Sequence, residues 1–245
     1  GRALVRDSGA ISQLVELMFN GNVDAVEAIS MLCKDAENAP FLVQSGVVTR
    51  FAMSSDSASM EALSYLIAYP ECLVVLSNIQ EFVPDRLLPL LTQNPESSHL
   101  LAILVAILKH RPLERRCAGI CKVLLMNPNS NSEIVVDALS LLPPDDLFAE
   151  GAFERAVELC TNGENSIVIR NKALLILRKL AVKSWVQLTE LPDFVPNLLP
   201  FANSSAGLSV LHIVLRKKCE EFLSLDGVGA VIKSNKPECV AEAVD

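Results

Sequence analysis

Apolar residues in this chain recur at helical spacing, and the helical runs themselves recur. After Gly9, apolar residues stand at the fifth and sixth following positions, Leu14 and Val15. The same pair returns as Phe51 and Ala52 after Gly46, Leu87 and Leu88 after Phe82, and Leu124 and Leu125 after Gly119. It returns again as Ala156 and Val157 after Gly151, Leu198 and Leu199 after Asp193, and Val231 and Ile232 after Asp226. These anchors lie 37, 36, 37, 32, 42 and 33 residues apart. No period-two alternation competes, so the pattern predicts helices arranged as repeats.

Each first helix is followed by a polar break and a longer helix. The breaks are Asn20-Gly21-Asn22, Ser54-Ser55-Asp56, Asn94-Pro95, Asn127-Pro128-Asn129, Asn162-Gly163 and Asn203-Ser204-Ser205. Such residues stop one helix and cap the next. The cores of the long helices are AVEAISMLC (25–33), SMEALSYLI (59–67), LLAILVAI (100–107), VVDALSLL (135–142), RNKALLILR (170–178) and GLSVLHIVL (207–215). A short third helix is expected in each interval, at 39–44, 71–78, 113–118, 145–150, 184–190 and 219–225. Prolines 40, 70, 112 and 144 sit near the starts of several of these, where a helix tolerates them.

No such unit can bury its apolar faces alone, whereas stacked neighbours share one core. The sequence has no evident linker, so residues 1–245 are read as a single repeat domain. It lacks an initiator Met and ends in mid-pattern, and the expectation is a piece of a longer protein whose last partial repeat offers an apolar edge for self-association.

Composition narrows the class. Of the 245 residues 51% are hydrophobic and mean hydropathy is +0.36, which argues against disorder. The longest apolar run, 100–108, is too short for a membrane helix, which needs roughly 18 residues. The seven cysteines are scattered over apolar helical positions and read as reduced core thiols. That places the protein inside the cell, in the cytoplasm, with a nuclear location also compatible. Residues 1–100 carry 5 Lys and Arg against 12 Asp and Glu, while 101–245 carry 16 against 17. A net charge of -8 does not suit a nucleic-acid partner, because phosphate contacts need a basic face.

With Gly, the apolar pair, a break and then A-h-x-A-h-x-x-h, the unit 9–45 resembles the armadillo repeat, and the wider HEAT class lies close by. The likeness runs over six full units and a partial seventh. It implies an all-α fold, a right-handed armadillo-type α-solenoid of about six and a half three-helix repeats. It also implies a concave groove, lined by the long helices, that binds a protein or peptide. Peptide-binding members carry a Trp and, one turn later, an Asn on those helices. Here the Trp position falls on Glu27, Glu61, Leu101, Asp137, Lys172 and Ser209, and the Asn position on Met31, Tyr65, Val105, Leu141, Ile176 and Ile213. Neither ladder is present. An amide can satisfy the backbone of an extended peptide and an aliphatic side chain cannot.

What remains is an apolar stripe, Met31, Tyr65, Val105, Leu141 and Ile176, flanked in the first half by Glu27, Glu61 and Asp137, with Leu101 a further candidate for partner contact. Two readings of the stripe stand. In one it is a groove for a basic amphipathic helix; in the other it is core under the next repeat. A basic cluster, Lys109, His110, Arg111, Arg115 and Arg116, and further basic residues at Arg178, Lys179 and Lys183 and at 216–218, also have two readings. They are either favourable charge at helix C-termini or a ridge for an acidic partner. His99, His110 and His212 have no catalytic or metal-binding partner at a useful spacing, and Gly227-Val228-Gly229 lacks the third glycine of a dinucleotide loop. The sequence therefore points to a non-catalytic interaction scaffold with no cofactor and no metal. The alternative is a regulatory or targeting array of a larger multidomain enzyme such as a protein kinase. A HEAT-like DNA glycosylase would need a basic concave face, and the first hundred residues are acidic.

Overall fold

In the computed structural model, which describes residues 9–54, 56–110, 119–127, 132–190 and 198–215, helices form where the period places them and no strand occurs among the described residues. The chain divides into two compact units, 1–129 and 130–245.

The first unit begins with α1 (Ala10–Phe19) and α2 (Val23–Cys33), joined by the Asn20-Gly21-Asn22 turn. A 3-10 turn (Ala36–Asn38) leads into α3 (Ala39–Gln44), which starts with Pro40 in its first turn. The motif then repeats as α4 (Val47–Met53), α5 (Ser57–Leu66) and α6 (Pro70–Asn78). The third pass opens differently. Phe82 replaces the anchoring glycine and Pro84 cannot donate a backbone hydrogen bond, so residues Phe82–Leu87 form a π turn before α7 (Leu88–Gln93). After it come α8 (Ser98–His110) and α9 (Ile120–Leu125). The long helices sit side by side, α2 against α5 and α5 against α8.

The second unit holds α10 (Glu133–Leu141), α11 (Pro144–Ala149), α12 (Ala152–Thr161), α13 (Ile167–Glu190) and α14 (Ser205–Leu215), with a 3-10 turn at Leu199–Phe201 before α14. Here too the long helices are neighbours, α10 with α13 and α13 with α14.

The glycine anchors have a common backbone cause. Gly46 and Gly151 each end a short helix and start the next, with φ of 80° and 73°. Their N–H groups bond back to Val43 and Phe148. A left-handed residue lets the chain close one helix and begin another without an intervening loop, and glycine adopts it without the steric cost of a Cβ.

One element departs from expectation. A separate short helix was expected at 184–190, but α13 runs unbroken for 24 residues from Ile167 to Glu190. Residues 179–183 contain no Pro, Gly or Asn to stop it. The short helices expected at 113–118 and 219–225, the anchors Asp193 and Asp226, and the 227–229 turn lie outside the described residues.

The core consists of the inward faces of these helices. Met18, Ile29, Leu42, Phe51, Leu63, Phe82 and Ile103 are fully buried in the first unit, and Val135, Leu147, Leu174 and Leu177 in the second.

Candidate functional site

The face that carries the candidate residues is built from the exposed sides of α2 and α5. Both helices are held at their starts by local side chains. Asn22 Oδ1 accepts the Ala25 N–H at 2.9 Å. Asp56 accepts the Ser59 N–H at 2.7 Å and the Ser59 hydroxyl at 2.7 Å, and a further hydrogen bond from the Ser54 hydroxyl. Partial burial pushes the Asp56 carboxyl up, but the Ser54 and Ser59 donors outweigh it and hold the group below its ordinary value.

Met31 stands on this face with 47% of its surface exposed, and Tyr65, on the neighbouring helix, with 38%. Tyr65 is pinned from three sides. Its hydroxyl donates to Glu61 Oε1 at 3.1 Å, Lys34 Nζ lies 5.5 Å from its ring centre, and the His99 ring centre lies 6.2 Å away. Lys34 also pairs with Glu61 at 3.3 Å, bridging α2 to α5. Hydrogen bonds from Tyr65 and Lys34, then the Lys34 charge, keep the Glu61 carboxyl below its usual value. Exposed ion pairs stabilise little, so the effect here is mainly orientation: an aromatic ring is fixed on the helix next to the one that carries the exposed Met31. Ser64 Oγ donates to the Glu61 carbonyl at 2.6 Å and lies 2.9 Å from His99 Nδ1, which ties α8 to the same cluster.

The acidic edge expected from the sequence is largely answered from within the chain. Glu61 pairs with Lys34, and Asp137 pairs with Lys172 at 3.2 Å, the same lysine reaching Glu133 at 3.4 Å. Glu27 remains exposed on α2.

The apolar stripe, with Leu101, is likewise not one surface. Leu101 and Val105 are 3% and 9% exposed, because α8 is apolar around most of its circumference and has to be covered. Ile176 is 1% exposed and Leu141 is half-buried. In the first unit the exposed apolar part of the stripe narrows to Met31 and Tyr65.

The basic residues also separate. Lys109 is exposed at the end of α8, while Arg111, Arg115 and Arg116 lie outside the described residues. Lys179 turns inward. Its ammonium donates to the carbonyl oxygens of Ser140 and, at 3.0 Å, of Leu142, closing the C-terminus of α10, and burial lowers its pKa. It therefore serves a neighbouring helix and does not line a ridge.

Sequence reasoning missed Lys34 and Ser64, and weighed His99 only as a catalytic or metal-binding residue. A usable signal was nevertheless present. Ser64 and His99 are 35 residues apart, Glu133 and Lys172 are 39 apart, and so are Ser140 and Lys179, each about one repeat. Residues one period apart on adjacent long helices are the natural contacts of a repeat fold.

Burial pushes the thiols of Cys33, Cys72 and Cys160 up to about 12, as unreactive core cysteines require. Among the described residues no cluster of three His, Cys, Asp or Glu side chains is placed to hold a metal ion, and no helix is long and apolar enough to cross a membrane. Compared with known proteins, the chain matches no family model and no curated protein.

Proposed function

We propose that the chain is a non-catalytic interaction scaffold, an armadillo-type array of three-helix repeats that binds a partner protein inside the cell. The partner contacts the exposed face of α2 and α5. The observation that carries the reading is the exposed, pinned Tyr65 on α5 together with the exposed Met31 on the neighbouring α2. Fixed aromatics and adaptable methionines are the side chains that interfaces favour, because the first lose little entropy on binding and the second fit varied shapes. The surrounding charge favours a basic partner: the first hundred residues carry 12 acids against 5 bases, and Glu27 lies on the same helix as Met31. An amphipathic helix or peptide with Lys or Arg beside its apolar stripe meets both conditions.

The test compares proteins captured from cell extract by the wild-type chain, by a Met31→Glu, Tyr65→Ala double variant, and by Phe148→Glu. Phe148 is 45% exposed on α11 and serves as a control for lost surface hydrophobicity. A partner lost with the double variant and kept by the control supports the reading. A partner kept by the double variant but lost when Arg115 and Arg116 are changed to Glu would move the function to the basic cluster.

A further inference from the structure

A cavity of about 860 Å³ opens in the first unit between the α1–α2 turn and the α4–α5 turn. Its apolar lining is already ordered, with Met18 and Phe51 0% and 1% exposed and Val26 half-buried. Val23, 77% exposed, and Met53, 46% exposed, stand on its outer wall. Glu27 on α2 and Arg50 on α4 both line it, each from a different helix. Asp56 also lines it but is occupied as the cap of α5.

A second cavity, of about 300 Å³, lies one repeat further on, between the start of α5 and the α7–α8 turn. The two correspond position by position. Val23 and Ser57 are each the first residue of a long helix, and Val26 and Met60 each the fourth. Opposite them stand Asp56 and Ser59 in one cavity, and Ser97 and Leu100 in the other, in each case the residue before a long helix and the one three further on. The space is thus a product of how a long helix meets the next turn, and its chemistry changes between repeats. The first cavity is mostly apolar; Ser57, Asn94, Ser97 and His99 make the second polar.

We infer that these two cavities are consecutive anchor sites for one helix of a partner protein, and this rests on the scaffold reading above. A large aliphatic or aromatic side chain enters the first cavity, and a polar side chain seven residues along enters the second. Packed helices lie about 8–10 Å apart, and residues seven apart on one helix are separated by about 10.5 Å, so the two spacings agree. Charge adds to the selection: a Lys or Arg of the partner helix lies against Glu27, and an acidic or neutral residue lies against Arg50. A cavity of this size and apolar character is suited to one anchoring side chain and its neighbours.

The experiment displays a library of random 16-residue peptides against the full chain and measures the enriched peptide by fluorescence anisotropy. The expected motif is Leu, Ile, Met or Phe with a neighbouring Lys or Arg and a polar residue seven positions away. Ala58, exposed on the first turn of α5, lines the first cavity, so Ala58→Trp obstructs it and should weaken binding at least tenfold, with Ala58→Ser as a conservative control. Val23→Glu, at an exposed wall position, is a second blocking variant should the Trp variant lose helicity by circular dichroism. Glu27→Gln should weaken binding about threefold, less so in high salt. Binding within twofold of wild type for Ala58→Trp and Val23→Glu overturns the inference. If those variants bind normally while Met31→Glu with Tyr65→Ala abolishes binding, the cavities fail and the interaction face stands. A library that enriches no peptide over a control protein overturns both.

Discussion

Gly207 is a residue whose identity is dictated by a close approach. A Cβ there would lie 2.2 Å from the carbonyl oxygen of Phe201. That carbonyl cannot swing aside cheaply, because it accepts the Ser204 N–H at 3.0 Å and the Ser204 hydroxyl at 2.9 Å. Ser204 Oγ in turn accepts the Gly207 N–H at 3.1 Å. Gly207→Ala should therefore cost at least about 2 kcal/mol, as overpacking a fixed backbone does. Gly163→Ala, with nothing within 4 Å of the added carbon and no positive φ, should stay within about 0.5 kcal/mol of wild type. Urea denaturation of the two variants gives the comparison, and equal midpoints would contradict it. Lys179 shows the same dependence on surroundings: by composition it belongs to a basic run, but its ammonium closes the end of α10.

At the level of elements, the positions of most described helices were readable because two periods coincide. Helical spacing within a run and a repeat near 37 residues between runs both follow from burying one face of each helix. The polar breaks translate into caps, as Asn22 and Asp56 demonstrate. Where local signals are missing, the reading failed. Residues 179–183 carry no stop, so α13 continues through the expected gap. The candidate site was readable only in part. Met31 and Tyr65 are on the surface, but the burial of Leu101 and Val105 and the pairing of Glu61 and Asp137 depend on neighbouring helices that a single helix's pattern does not encode. The cap of α5 also sets a pH dependence. Asp56 is held below its ordinary value by its serine donors, so the folded group has the lower pKa. Its stabilisation is complete above the unfolded carboxylate pKa of about 4 and is lost as pH falls through the folded value. Asp56→Ala should cost about 1 kcal/mol at pH 7, and Asp56→Asn less, since the amide oxygen can still cap. The gap between wild type and Asp56→Ala should narrow as pH drops below about 4 in parallel denaturation series. A gap that is unchanged at low pH would show that the carboxylate charge contributes nothing.

At the scale of the molecule, several features that packing does not explain lie among the described residues of the first unit. The ion pairs bridging α10 to α13 and the buried thiols serve the fold. The exposed Met31 and Tyr65, the unequal charge of the first hundred residues and the paired cavities along the long-helix starts do not. Their common reading is a protein-binding face. It is tested most directly by placing the photo-crosslinking residue benzoylphenylalanine at position 31 and irradiating the full chain in cell extract. The account predicts a discrete covalent adduct at position 31 that is absent when the same residue replaces Phe148. It further predicts that the adduct is lost on adding Tyr65→Ala. Adducts of equal yield at both positions, or none at position 31, would contradict it.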